Sequence, residues 1–169
     1  PQVSFDYLGG LYLSVFRRSM WEKNLNRINT SNLNNKLLFS TFDNTFPHII
    51  VFAYAFKNSK AFFYSKPLTI NLYGVREWKS LYPLVRSIRL INALDLYFKN
   101  GLGIAKYIKY KNDTLKYFIP DIIRLVLTGK IGLSYFIEII FFFFKNFYYP
   151  NIYLSLIYQL ITTLKKYTK

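Results

Sequence analysis

The sequence predicts an α/β fold followed by an all-helical C-terminal part. A Gly pair precedes the apolar run 11–16, and segments 61–64 and 67–72 have an extended pattern around a Ser-Lys-Pro turn, which indicates strands. Beyond Gly103 the spacing of apolar residues is helical throughout. We therefore expect strands and helices in residues 1–103 and helices alone in residues 104–169.

The first elements follow from apolar runs and the breaks between them. The strand 11–16 should lead into a short helix. Six Asn residues between positions 24 and 35 predict a surface loop. Thr45 is then positioned to cap a helix whose first turn holds His48, and this helix should run to about residue 57.

The later elements have clear start and stop signals. Pro83 should begin a helix over residues 84–99, which the pair Asn100 and Gly101 should end. Further breaks in the helical part are expected at Asn112, Gly129, Asn146 and Pro150.

Composition narrows the classes of partner. The chain has 23 Lys and Arg against 8 Asp and Glu, a formal charge of +15, which attracts anionic partners. It has no Cys, so disulfides, thiolate zinc sites and thiol nucleophiles are excluded. The 17 Phe and 16 Tyr, crowded beside Lys in the last third, are typical of a membrane interface. A coding bias towards Lys, Asn, Ile, Phe and Tyr explains the same composition without any partner.

The last third predicts a helix that lies on a membrane. The longest uncharged stretch, 146–164, contains two Asn, one Pro and one Gln, which disfavours a spanning helix. An interfacial helix with Lys165, Lys166 and Lys169 at the headgroups fits better. The alternative is that these apolar residues pack on the core or on a second subunit. Because Pro1 stands first with no initiator Met, we also expect the chain to be a fragment.

Residues 7–78 resemble the C-terminal half of family 2 glycosyltransferases, in particular the abequosyltransferase-like bacterial enzymes of O-antigen synthesis. Four pieces carry the resemblance in order: a Gly-Gly strand followed by Arg-Arg-Ser-Met-Trp at 17–21, Asn-Thr-Phe-Pro-His at 44–48, Tyr-Ser-Lys-Pro-Leu at 64–68, and Tyr-Gly-Val-Arg-Glu-Trp at 73–78.

The resemblance implies the acceptor-side part of a GT-A domain. It implies a nucleotide-diphosphate sugar donor, a sugar or lipid-linked acceptor, and a place at the cytoplasmic face of the cell membrane. The divalent metal of the family, Mg or Mn, is held by an Asp-x-Asp motif on the N-terminal half. No such motif occurs in these 169 residues, so we expect no metal ligand and little activity from the chain alone.

Sugar transfer needs a base that takes the proton of the acceptor hydroxyl. The family opens this helix with a Glu-Asp pair, whereas Pro47 and His48 stand there in this chain. A His near a positive helix end stays neutral and can accept a proton. Asp43 is the rival base, and a purely structural role for either residue stays open.

Four further residues form the predicted substrate-binding set. The guanidinium of Arg76 suits the product diphosphate, and the indole of Trp78 suits a sugar face. Thr45 and Tyr73 belong to the same motifs. The alternative for Arg76 and Trp78 is an ordinary surface pair.

Two hypotheses from other classes compete with glycosyl transfer. One is a small, basic, membrane-associated interaction protein without catalysis, in which the aromatic helices do the work. The other is a nucleic-acid binder, which only the charge suggests; because Lys dominates over Arg and is spread along the chain, we expect no nucleic-acid partner.

Overall fold

The computed structural model describes residues 16–33, 37–58, 80–128 and 132–167. Within these ranges the chain is helical and contains no strand. The helices are α1 (Arg18–Glu22), α2 (Thr30–Leu33), α3 (Phe42–Thr45), α4 (Pro47–Ala55), α5 (Tyr82–Leu84), α6 (Leu90–Lys99), α7 (Ile104–Leu115), α8 (Phe118–Leu127), α9 (Leu133–Asn146) and α10 (Pro150–Tyr167). A 3-10 turn spans Leu25–Arg27, and a π-helical segment, Val85–Arg89, joins α5 to α6.

The predicted α/β class is wrong: the described chain is helical, which conflicts with half of a GT-A domain. The strand predictions for 11–16, 61–64 and 67–72 lie outside the described residues. The Asn-rich stretch was predicted as a loop and instead contains the 3-10 turn and α2. Backbone hydrogen bonds between residues three or four positions apart pair the polar backbone groups there. Local turns therefore take the place of an open loop.

The positions of the helices predicted between Pro47 and Lys99 are confirmed. Helix α4 begins at Pro47 and holds His48 in its first turn, and α5, the π segment and α6 together cover the predicted helix from Pro83 to Lys99. Helices alone follow Gly103 in the described residues. The break predicted at Asn112 is wrong, because that residue lies inside α7 and its side chain accepts a bond from the backbone of Asn151 at 3.2 Å.

The end of α6 shows why glycine stands at that position. The amide of Leu102 donates to the carbonyl of Tyr97 at 2.9 Å, and the amide of Gly101 donates to the carbonyl of Phe98 at 3.1 Å. This Schellman pattern requires a residue with positive φ after the helix, and Gly101 has φ +105°.

Two hydrophobic clusters hold the helices together. The first, here the C-terminal cluster, joins Leu84, Ile88 and Ile91 to side chains from α7, α8, α9 and α10. The second, the N-terminal cluster, packs α4 against the π segment and α6. Residues from both sides of Gly103 share the C-terminal cluster, so the helical part is built into the same core as the segment before it.

Candidate functional site

The segment before α4 is shaped by its own side chains. Thr41 caps α3: its Oγ1 accepts from the amide of Asn44 at 3.2 Å, and the Asn44 side chain accepts from the amide of Thr41 at 3.3 Å. Asp43 lies in the same turn. Its Oδ1 accepts from the amide of Asn29 at 2.9 Å, and its Oδ2 accepts from Nδ2 of Asn32 at 3.1 Å. The carboxylate is thereby fixed in orientation.

Thr45 does not cap the helix that contains His48. It is the last residue of α3, and its hydroxyl donates to the carbonyl of Thr41 at 2.7 Å. The N-cap of α4 is Phe46, which makes no side-chain bond to the helix end. Pro47 occupies the first helical position, where its missing N–H costs nothing, so the helix starts without a polar cap.

His48 is buried, with 9% of its surface exposed. Its ring contacts Phe46 and Phe52 edge to face, at centroid distances of 5.8 and 5.9 Å. These contacts place the imidazole in an aromatic setting, where an acceptor hydroxyl has little room to approach. Asp43 is only half-buried, and a carboxylate that accepts two bonds has lone pairs left for a third donor.

The C-terminal helices hold the turn that leads into this segment. Arg89 in the π segment is 2% exposed and donates to the carbonyl of Phe39 at 2.7 and 2.9 Å and to that of Ser40 at 2.9 Å. Its guanidinium also pairs with Glu138 of α9. From the same helix, the hydroxyl of Tyr135 donates to the carbonyl of Leu38 at 2.6 Å. Residues beyond Gly103 therefore position the backbone next to Thr41.

The remaining predicted site residues, Arg76, Trp78 and Tyr73, lie outside the described residues. In the part of the chain that is described, no group of three or more His, Cys, Asp or Glu side chains is close enough to hold a metal ion.

Helix α9 is apolar on two opposite sides. One side packs Tyr135, Ile139 and Phe142 into the C-terminal cluster. The other side, here the α9 apolar face, is exposed to solvent, and Phe141 and Phe144 have 71% and 65% of their surface exposed. The other residues of this face repeat at helical spacing: Leu133, Phe136, Ile137 and Ile140. An apolar side of a helix normally packs against another surface.

Helix α10 also presents apolar side chains to solvent. They are Tyr153, Leu154, Leu156, Ile157, Leu160 and Ile161. Among the described helices, none combines the length and the apolar character needed to cross a bilayer. Residues 104–169 carry ten Lys and Arg against three Asp and Glu, so cations accompany the apolar surface.

A charge cluster that reaches from the buried Lys111 to the exposed Lys145 ties α6, α7 and α9 together. Asp95 accepts from the hydroxyl of Tyr107 at 2.7 Å and from Nζ of Lys111 and Lys145, each at 3.0 Å. Burial alone would raise the pKa of Asp95, but the bonds from Tyr107 and the lysines and the charge of Lys111 lower it below its usual value. The arrangement stabilises helix packing.

Comparisons with known proteins give no relative. No protein-family model matches the chain, and searches of curated proteins and of solved structures find no match.

The sequence reasoning missed the ion pairs that cross the fold. Arg86 pairs with Asp121, and Arg89 with Glu138, across 35 and 49 positions. A signal was available, because Arg89 stands between Ile88 and Leu90, and Asp121 stands between Pro120 and Ile122 in an apolar stretch. A charged residue on the buried side of a helix requires a partner.

Proposed function

We propose that the chain works at a membrane surface as part of a glycosyltransferase. In this proposal a sugar passes from a nucleotide-diphosphate donor to a lipid-linked or saccharide acceptor, in surface-polysaccharide synthesis at the cytoplasmic face of the cell membrane. A divalent metal, Mg or Mn, would be held outside the described residues and would stabilise the departing diphosphate.

The observation that carries the membrane part is the α9 apolar face. Exposed Phe and Ile side chains, in a part of the chain with a surplus of cations, favour the boundary between headgroups and acyl chains of an anionic bilayer. Phe141 and Phe144 would enter the acyl region. A second copy of the chain is the competing partner for the same face.

The glycosyl-transfer part of the proposal rests on the resemblance of residues 7–78 to family 2 glycosyltransferases. The helical fold of the described residues does not support an α/β domain there. Of the two candidate bases, the geometry favours Asp43. Its carboxylate is half-buried and oriented by Asn29 and Asn32, whereas His48 is enclosed by Phe46 and Phe52. Asp43 would accept the proton of the acceptor hydroxyl as its oxygen attacks the anomeric carbon.

Vesicle binding tests the membrane part. We expect the chain to co-sediment with vesicles of phosphatidylcholine and phosphatidylglycerol, and Phe141→Ser/Phe144→Ser to bind at least about tenfold more weakly, since two exposed rings lose their place in the acyl region. The control Ile104→Ser/Ile108→Ser removes two exposed apolar residues from α7 and should bind normally. If the Phe variant changes oligomeric state but not vesicle binding, the face joins two copies and the proposal is wrong.

Turnover tests the transfer part, in the protein translated from the whole reading frame that contains this chain. With nucleotide sugars and lipid-linked acceptors, Asp43→Asn should lower kcat by roughly 100-fold or more, because it removes the base while keeping a similar shape. His48→Asn should keep kcat within a few-fold. Equal turnover of Asp43→Asn and the parent protein would remove Asp43 from the mechanism, and no transfer from any nucleotide sugar would favour the non-catalytic membrane protein.

A further inference from the structure

A cleft of about 1010 Å³ opens between α8 and α10, away from the segment that holds Asp43 and His48. Its volume is at the upper end of the range for small-molecule sites. Its lining includes three exposed apolar side chains, here called the apolar wall, and three cations, here called the cationic wall. Helix α8 contributes to both, and Asn151, Ser155 and Gln159 of α10 add polar groups. These two chemistries in one cleft define the ligand that it fits.

The apolar wall opens towards solvent. It includes Ile123 and Leu127 of α8 and Leu154 of α10, which are among the exposed large apolar side chains, and Leu127 is 81% exposed. A hydrocarbon chain seated in the cleft would leave it over these side chains and reach the exposed residues Ile157 and Leu160 further along α10.

The cationic wall contains Arg86, Lys116 and Arg124, against one lining carboxylate, Asp121. Asp121 is 1% exposed and is already bound by Arg86 and by Ser87, so its charge is used within the fold. Burial acts to lower the pKa of Arg86, but Asp121 outweighs it and raises that pKa, so the guanidinium stays charged.

Lys116 and Arg124 are the two lining cations that are available to a ligand. Within the described residues, neither forms a salt bridge. Lys116 and Arg86 both lie over the ring of Tyr117, with Nζ 4.9 Å and Cζ 4.4 Å from its centroid. The aromatic ring stabilises both cations at this end of the cleft.

We propose that this cleft binds one anionic membrane phospholipid, with the headgroup phosphate at Lys116 and Arg124 and the start of an acyl chain against Ile123, Leu127 and Leu154. Charge complementarity selects the anion, and the apolar wall selects a lipid over a free phosphate. The proposal deepens the membrane part of the proposed function and rests on it, because it names the lipid that the surface prefers.

The test compares two double variants of equal charge. Lys116→Gln/Arg124→Gln removes the two cations, and Arg86 is left intact because it holds the buried Asp121. Lys106→Gln/Lys109→Gln removes two exposed cations from α7, outside the cleft. With vesicles of equal phosphatidylcholine and phosphatidylglycerol, the cleft variant should bind about 30-fold more weakly, at about 1 kcal/mol for each cation, and the control within about threefold.

A soluble probe separates the two sources of phosphate. Dihexanoyl phosphatidylglycerol, below its micelle concentration, should bind the parent chain with one-site saturation and should not bind the cleft variant. Inorganic phosphate at the same concentration should not bind. If inorganic phosphate binds as well as the lipid, the cleft is an anion site without lipid selectivity, and the proposal is overturned. If the two double variants lose vesicle affinity equally, the attraction is a diffuse effect of surface charge, and the proposal is overturned as well. Displacement of the lipid by a short RNA would also overturn the proposal.

The outcomes also separate this proposal from the membrane role of α9. If Phe141→Ser/Phe144→Ser loses vesicle binding while the cleft variant keeps the preference for phosphatidylglycerol, the membrane role stands and the cleft fails. If the chain ignores vesicles but binds the short-chain lipid through Lys116 and Arg124, the cleft stands and the membrane role fails.

Discussion

Lys111 brings a positive charge into the interior, since its side chain is 2% exposed. Asp95 neutralises it at 3.0 Å, and the Lys111 ammonium also lies over the rings of Tyr107 and Tyr149, at 5.1 and 5.4 Å from their centroids. A buried charge of this kind is tolerated because Asp95 and the Tyr107 hydroxyl accept its hydrogen bonds and two aromatic rings lie close to it. Removing the carboxylate leaves the ammonium buried and unpaired.

The stability of the fold at acid pH should depend on the ionisation of Asp95. Its pKa is lowered on folding, so the stability it contributes is complete above the unfolded value of about 3.9 and is lost as the pH falls through the lower folded value. Asp95→Asn should reduce the free energy of unfolding by about 3 kcal/mol at neutral pH and should flatten the acid limb. Urea unfolding at neutral pH and at about pH 3 measures the loss of unfolding free energy and the change in its dependence on pH.

The double variant Asp95→Asn/Lys111→Met is the control for that prediction. It removes the buried ammonium together with its carboxylate and should recover much of the lost stability. If Asp95→Asn unfolds at the same urea concentration as the parent protein at both pH values, the pair contributes nothing to the fold.

Among the elements, the C-terminal end of α6 was predicted correctly from the sequence. Gly101 was predicted as its stop, and the Schellman bonds explain why a residue with a side chain is unfavourable there. The π segment before α6 was not predicted. It contains Arg86, Ser87 and Arg89, whose side chains bind Asp121 of α8 and Glu138 of α9.

Gly101→Ala should lower the free energy of unfolding by about 1 to 2 kcal/mol, because φ +105° strains any residue with a Cβ. The added Cβ would meet only Cε of Lys57 at 3.8 Å, so steric contact adds little. Gly103→Ala is the matched control, two residues along, with φ −59° and open space around the new Cβ. Its stability should change by less than about 0.5 kcal/mol. Equal midpoints of thermal unfolding for the two variants would contradict the strain.

At the scale of the molecule, the two parts on either side of Gly103 share one core. Leu84, Ile88 and Ile91 pack against side chains of α7 to α10, and Arg89 needs Glu138. The boundary predicted from the change in pattern marks where α7 begins, since Gly103 is its N-cap.

A chain that ends at Gly103 should therefore not unfold cooperatively. It lacks Phe118, Leu125, Ile139 and Ile152 of the C-terminal cluster and leaves Arg89 buried without a carboxylate. Thermal unfolding followed by circular dichroism, with the full chain as reference, measures this. A sharp transition at the same temperature as the full chain would show that residues 1–103 are an independent domain.

The sequence by itself determined the helix that begins at Pro47, the helix from Pro83 to Lys99 with its glycine stop at Gly101, and the helical character of the described residues after Gly103, because proline positions, glycine stops and apolar spacing act over a few residues. It also showed that the last third is rich in aromatic and basic residues, and membrane binding by that part stays a prediction. Only the tertiary structure decided the helical class of the described chain, the burial of His48, the contacts of Asp43, and the partners of Arg89 and Asp121. Those depend on residues that lie up to 50 positions apart and meet through packing, and local pattern contains no information on which helix faces which.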